Sequence, residues 1–209
     1  YALFLRTEVV QRRSLLDREI RTRLDAILTE AQEFRLTAGI GLDSSEVKAE
    51  EQQAKRRISS VLALHDYLYN VLAVAERALK PHTVALFWLE PDDRHLKLKE
   101  LRSQSDDVVE KGIGIGEGFL GALSKRKQPL LLSRLSAAHH GLVYYRRAQG
   151  ITDFVGVPVL EGEHLRGVLV ADRTGHQPFD QSDVAIMETM AQEVVRAVQV
   201  ERVLYEMDR

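Results

Sequence analysis

Apolar side chains recur at helical spacing from Thr7 to about Leu36, at Val9, Leu16, Ile20, Leu24 or Ile27, Ala31 and Phe34, with charged residues filling the rest of each turn. No Gly or Pro interrupts the run, so the pattern predicts a helix of about 30 residues, roughly 45 Å long. A single narrow apolar stripe on so long a rod calls for a partner helix. The stretch TAGIGLDSS (37–45) then breaks the pattern with two glycines and offers Asp43, Ser44 and Ser45 as N-caps. A second predicted helix carries its stripe at Val47, Ala54, Ile58, Val61, Leu62, Leu68, Val71, Leu72, Ala75 and Leu79, and ends at Lys80-Pro81 because proline cannot continue it. The stripe broadens after Ile58, which places the start of a globular domain near that residue.

Beyond Pro81 the period changes. TVALFWL (83–89) is β-branched and aromatic and reads as a buried strand; EPDDR (90–94) is turn chemistry; LKLK (96–99) alternates with period two. Together they predict an antiparallel hairpin with one wet face. The glycine-rich GIGIGEGFLGAL (112–123) follows, then a short apolar strand in PLLL (129–132), then a polar and aromatic segment, 133–152, expected to be partly helical. FVGVPVL (154–160), the turn EGEH (161–164) and LRGVLVA (165–171) form a second hairpin. A last helix runs from Gln181 to the C-terminus with Ile186, Met190, Val194, Ala197 or Val198, and Leu204 on its seam. Strands joined as hairpins and helices gathered at the ends describe an α+β fold, an antiparallel sheet with the terminal helices on one face, not a parallel doubly wound sheet.

Composition narrows the chemistry. The 209 residues, 44% hydrophobic, suffice for one good core and an appendage. A net charge of −2 argues against a dedicated nucleic-acid binder, whose footprint is a basic excess. The absence of cysteine removes disulfides, thiolate metal sites and Cys nucleophiles. YALFL (1–5), followed by Arg6, Arg12 and Arg13, is far short of the roughly twenty apolar residues a span requires. It reads either as the cytoplasmic end of a span, by the positive-inside pattern, or as a helix start that packs on a partner.

Gly116-Glu-Gly118-Phe-Leu-Gly121 has the letters of a dinucleotide fingerprint. That motif needs a buried strand before it, a long helix after it and an acid about twenty residues on. Here SDDVVEK (105–111) precedes it, Pro129 stops the helix early, and no Asp or Glu occurs from Phe119 through Thr152. The glycines instead let the chain turn sharply, so that the helix N-terminus at Gly118 and Phe119 points free amides at a cavity. Several other residues bear on such a cavity. Tyr144 and Tyr145 are either a lid or anchors for their segment; Arg147 belongs to a basic group with Lys125, Arg126, Lys127, Arg134 and Arg146 that either is solvated or favours an anion; Asp172 and Arg173 either pair with each other or face the cavity. Phe87, Trp88 and Tyr145 are large enough to fill it instead. His139, His140, His164 and His176 show no recognisable metal-ligand spacing, and no nucleophile stands at a recognisable distance from a base, so neither a metal, a cofactor nor an enzymatic activity is expected.

GEGFLGAL (116–123) with QPLLL (128–132), FVGVPV (154–159), LRGVLVA (165–171) and FDQSD (179–183), in this order and spacing, resemble a GAF domain over about residues 58–203. The resemblance implies a six-stranded antiparallel sheet with a ligand cavity on one face and, on the other, terminal helices that commonly dimerise. It also implies a regulatory module, with residues 204–209 starting a linker helix to an output domain of the diguanylate cyclase or histidine kinase type; residues 1–57, outside the resemblance, are expected from their apolar spacing to be a helical, coiled-coil segment next to a membrane if the parent protein is anchored there. The expected partners are an unknown small molecule, bound by Phe87, Gly118, Phe119, Tyr144, Tyr145, Arg147, Asp172 and Arg173, and a second copy of the chain. The expected location is cytoplasmic, on the inner face of a membrane if the parent protein is anchored there. Asp172-Arg173 stands where cyclic-nucleotide-binding members carry Asn-Lys, and the cysteines used by bilin-binding and methionine-sulfoxide-reducing members are absent. An interaction module with a self-filled cavity is the alternative.

Overall fold

In the computed structural model, the described residues are 63–207 without 110, 137, 138 and 176. The predicted helix at Thr7–Leu36, the glycine break, the boundary at Ile58 and His176 lie outside them, as does the side chain of Leu204. Helix α1, described over 63–79, buries Leu68, Val71, Leu72, Ala75 and Leu79, the i, i+3, i+4, i+7 spacing of one face. It stops as expected: Lys80 turns to a φ of 49°, donates its N–H to the Glu76 carbonyl at 2.9 Å, and is followed by Pro81.

Strands β1 (Thr83–Leu89) and β2 (His95–Ser103) form the first hairpin, and the short β3 (Ile113–Gly114) pairs with the start of β2. Helix α2 (Gly118–Arg126) leads to β4 (Leu130–Leu132), and β5 (Ile151–Glu161) and β6 (His164–Thr174) form the second hairpin ahead of α3 (Gln181–Met207). All pairings are antiparallel in one six-stranded sheet, ordered β3-β2-β1-β6-β5-β4. The two hairpins therefore join through β1 and β6, which makes these two strands the most enclosed.

Alternation sorts their side chains. Val84 and Leu86 of β1, Val155, Val157 and Val159 of β5, and Leu169 and Ala171 of β6 pack under α1 and α3. Ala85, Phe87, Phe154, Val168 and Val170 point the other way, toward α2 and the loops. Trp88 packs on the helix side, so it does not fill the space on the α2 side. On α3 the stripe turned to the sheet is Val184, Met187, Ala191 and Val194; Ile186 and Met190 lie at its edge, half buried. The seam expected from the sequence was rotated because the apolar arc of this helix is wide. Asp180 and Asp183 exchange side-chain-to-backbone bonds of 3.0 and 3.1 Å, a capping box at the α3 start.

The segment from 133 to 150 contains no helix among its described residues. Its backbone is used differently: Tyr144 O accepts from Val109 N at 2.8 Å, Arg146 N donates to Asp107 O at 2.8 Å, and Tyr145 bridges to Val108. It forms a strap, laid over the sheet face opposite the terminal helices.

Candidate functional site

Asp172 lies on β6 two residues after Val170, so the alternation that buries Val168 and Val170 carries its carboxylate to the strap side. It is fully buried. Tyr144 donates its hydroxyl to Asp172 Oδ2 at 2.5 Å, Tyr145 lies 2.8 Å from the same oxygen, and Thr83 N–H donates to Oδ1 at 3.1 Å. The Tyr145 hydroxyl is also 2.5 Å from Thr83 Oγ1, which is 2.6 Å from Ser103 Oγ. A hydroxyl has one proton to give, so the arrangement is a chain, Ser103–Thr83–Tyr145–Asp172, with Tyr144 joining at the far end. Every partner of the carboxylate here is a neutral donor. Burial pushes the Asp172 pKa up to about 7, against the lowering effect of the three hydrogen bonds. Burial and the Asp172 charge together raise both tyrosines.

The next residue faces the opposite way. Arg173 reaches across the helix side, where its Nε donates to the Leu79 carbonyl at 3.0 Å and its Nη2 to the same oxygen. Its Nη1 lies 3.2 Å from Gln177 O, 3.4 Å from Pro178 O and 3.6 Å from Asp183 Oδ2, and its guanidinium lies 3.9 Å from the Phe179 ring centroid. One side chain thus satisfies a C-terminal carbonyl of α1 and fastens the entry to α3. Asp172 and Arg173 neither pair with each other nor share a cavity: they sit on opposite faces of one strand.

The structure brings most of the remaining expected residues together. Phe87 packs on Tyr144 with ring centroids 5.6 Å apart, and Tyr144 on Tyr145 at 4.7 Å. Phe119 rests against Phe154 at 5.3 Å and His139 at 5.6 Å, while its N–H donates to Gly141 O at 2.8 Å. The α2 N-terminus is therefore spent in part on the strap. Gly118 has a φ of 60°, and a Cβ there would collide with the same Gly141 carbonyl, which is why only glycine serves. Arg147 stands apart, exposed at the strap's outer edge, and binds Asp107 through Nη2 at 2.8 Å and Nε at 3.1 Å. Phe87, Leu96, Leu120, Leu123, Tyr144 and Phe154 are each exposed by 1% or less, so side chains fill the space between sheet and α2.

Sequence reasoning missed Thr83, Ser103, Asp107 and His82. Thr83 and Asp172 meet because β1 and β6 are paired, a register 89 residues apart in sequence that no local pattern records. His82 is half buried with its Nε2 unpartnered among the described residues, and burial lowers its pKa. No group of three or more His, Asp or Glu among the described residues is arranged to hold a metal ion.

An antiparallel sheet backed on one face by both described terminal helices, and crossed on the other by a strap hydrogen-bonded to a buried acid, defines the class: a helix-backed α+β domain with its site on the strapped face. The GAF domain family matches residues 63–198, more than half of the chain, and the chain belongs to that family. Solved structures agree in fold. The GAF domain of an Acinetobacter phosphoenolpyruvate-protein phosphotransferase is 19% identical with a TM-score of 0.58, over 78% of this chain and 97% of that one. A methyl-accepting chemotaxis protein, residues 122 to 287, is 15% identical with a TM-score of 0.58, over 68% and 92%. Free methionine-R-sulfoxide reductase from Neisseria meningitidis, in complex with its substrate, is 16% identical with a TM-score of 0.59, over 79% and 96%. At these identities the likeness is one of fold. No curated protein matches the chain.

Proposed function

We propose that this is a sensory, non-catalytic GAF domain that binds a small molecule at the strap and passes the event to its terminal helices, which act in a homodimer on an output domain of the diguanylate cyclase or histidine kinase type. The observation that carries the reading is the placement of Asp172 and Arg173. Adjacent on one strand, they hold the strap on one face and both helix ends on the other. A shift of the strap that disturbs Tyr144 or Tyr145 changes the hydrogen bonding of Asp172, and the same stretch of β6 backbone positions the arginine that fastens α1 to α3. A chemotaxis protein among the structural relatives fits a signalling role. No helix among the described residues is long and apolar enough to cross a membrane, and in this reading the domain works on the cytoplasmic side.

Hydrogen exchange on the Tyr145→Phe variant tests the coupling, because it keeps the ring and removes one hydroxyl. Faster exchange is expected at the strap and also around Leu79 and residues 177–183. A change confined to the strap sinks the proposal. The filled sheet face favours one alternative, a coupling module with no ligand. Native followed by denaturing mass spectrometry separates the two: mass lost on denaturation marks a sensor, a bare protein the module.

A further inference from the structure

The strap's outer side holds a pocket of about 260 Å³, lined by His139, Leu142, Tyr145, Arg146, Arg147 and Gln149 among others. Its volume lies just under the roughly 300–1,000 Å³ of pockets for drug-sized ligands, which points to a small occupant. No Asp or Glu lines it. The donors at its rim are already arranged for a carboxylate: Arg147 Nη2 and Nε meet Asp107 at 2.8 and 3.1 Å, and Gln149 Nε2 meets Asp107 Oδ2 at 3.0 Å. Arg147 holds the Asp107 carboxyl below its usual range, and Arg146 adds to that effect. The Arg147 side chain is 79% exposed and that of Asp107 19%, so the pair is open to water on the arginine side, where another anion can compete for the guanidinium.

We infer that this pocket takes a small anion, one carboxylate or phosphate group on a short apolar body, which replaces Asp107 on Arg147 and Gln149 and gains Arg146 as a second cation. The apolar body rests by Leu142, Tyr145 and Ile151. The exchange also explains how occupancy reaches the buried acid. Asp107 belongs to the loop that holds the strap through the Arg146 N–H and, two residues on, through the Tyr144 carbonyl. Freeing its carboxylate loosens that loop beside Tyr144 and Tyr145, whose hydroxyls meet Asp172. This inference rests on the sensory reading and names the ligand class of its site.

The test is an amide-resolved NMR titration with benzoate, phenyl phosphate, benzylamine and benzyl alcohol at one ionic strength. Benzoate or phenyl phosphate should shift the amides of residues 146–150, and whichever binds tighter says whether carboxylate or phosphate is the preferred head. Arg146→Ala with Arg147→Ala should weaken binding about tenfold or more. Asp107→Asn, which removes the internal competitor while keeping the backbone contact, should tighten it several-fold. Silence with both anions, equal binding of benzylamine, or weaker binding in Asp107→Asn overturns the assignment. If benzylamine or benzyl alcohol alone binds the strap and alters exchange at 177–183, the sensory reading stands and the anion assignment falls. If the anions bind and 177–183 is unmoved, the site stands and the sensory reading falls.

Discussion

Asp172 has been taken out of water with only neutral donors around it, and its proton therefore links stability to pH. An ordinary carboxyl releases its proton near pH 4 in the unfolded chain, at about 3.9. In the native state the pKa is pushed up to about 7. Between those values the folded protein holds a proton that the unfolded chain has lost, so this group's contribution is greatest below about pH 4, declines as pH rises toward 7, and is flat above. The slope is on the order of 1.4 kcal/mol per pH unit at its steepest. Asp172→Asn has no such proton. Urea midpoints at pH 4.5 and 7.5 should therefore fall for the native protein relative to the variant; parallel behaviour of the two would place the acid in a far more hydrated setting. That an acid sits here is legible from sequence, since VLVAD puts Asp172 in phase with the buried Val168 and Val170. Its partners were half legible. The two tyrosines stood out as aromatics in an irregular stretch, and they act as anchors, but Thr83 and Ser103 reach the acid through strand pairing that a single sequence does not display.

At the scale of elements the decisive contacts are at helix ends. α1 would leave C-terminal carbonyls without partners, and Arg173 supplies donors to that of Leu79 while its guanidinium lies over the Phe179 ring. Arg173→Met keeps most of the apolar packing and removes the donors. The expected cost is about 2–3 kcal/mol, the range for bonds to a charged group that leave a partner unsatisfied, with local fraying at 76–80 and 177–183 in hydrogen exchange. A loss under about 0.5 kcal/mol would show that water replaces the guanidinium freely. The sequence pattern located the described helices and five of the six strands, missed the two-residue β3 inside the glycine-rich turn, and misjudged the face of α3. Apolar residues occur at 184, 186, 187, 190, 191, 194 and 195, an arc wide enough for two seams, and only the depth of the sheet surface selects Val184, Met187, Ala191 and Val194. The strap failed for a different reason. Its residues have no periodicity to read, because its backbone bonds go to scattered partners, the loop at 107–109, Phe119 and Thr152, with only isolated turn bonds such as His139 N to Ser136 O within the strap.

For the whole molecule, the sheet order places β1 and β6 at the centre, and the helices that flank them, α1 before β1 and α3 after β6, lie on the same face, with the Tyr67 hydroxyl of α1 3.2 Å from Glu193 of α3. α3 outlasts the core it packs on. Beyond Val195 its contact with the sheet passes to Glu161 at the end of β5, which meets Arg202 at 3.0 Å and Gln199 at 3.2 Å and is itself held by Arg166. The outward side of this stretch carries Val200 and Val203, 59% and 54% exposed, where a solitary helix would place polar residues. In the proposed homodimer these valines meet their counterparts. Val194, fully buried in the protomer's own core, is unsuited to testing that contact, since a charge there would disrupt the fold first. Val200→Glu with Val203→Glu is the suitable pair. Light scattering should show a dimer converted to monomer, while the melting temperature at high dilution moves little, because neither side chain is buried within the protomer. A dimer that survives both charges would place the subunit contact elsewhere and deprive α3 of its role as the helix through which the two copies act together.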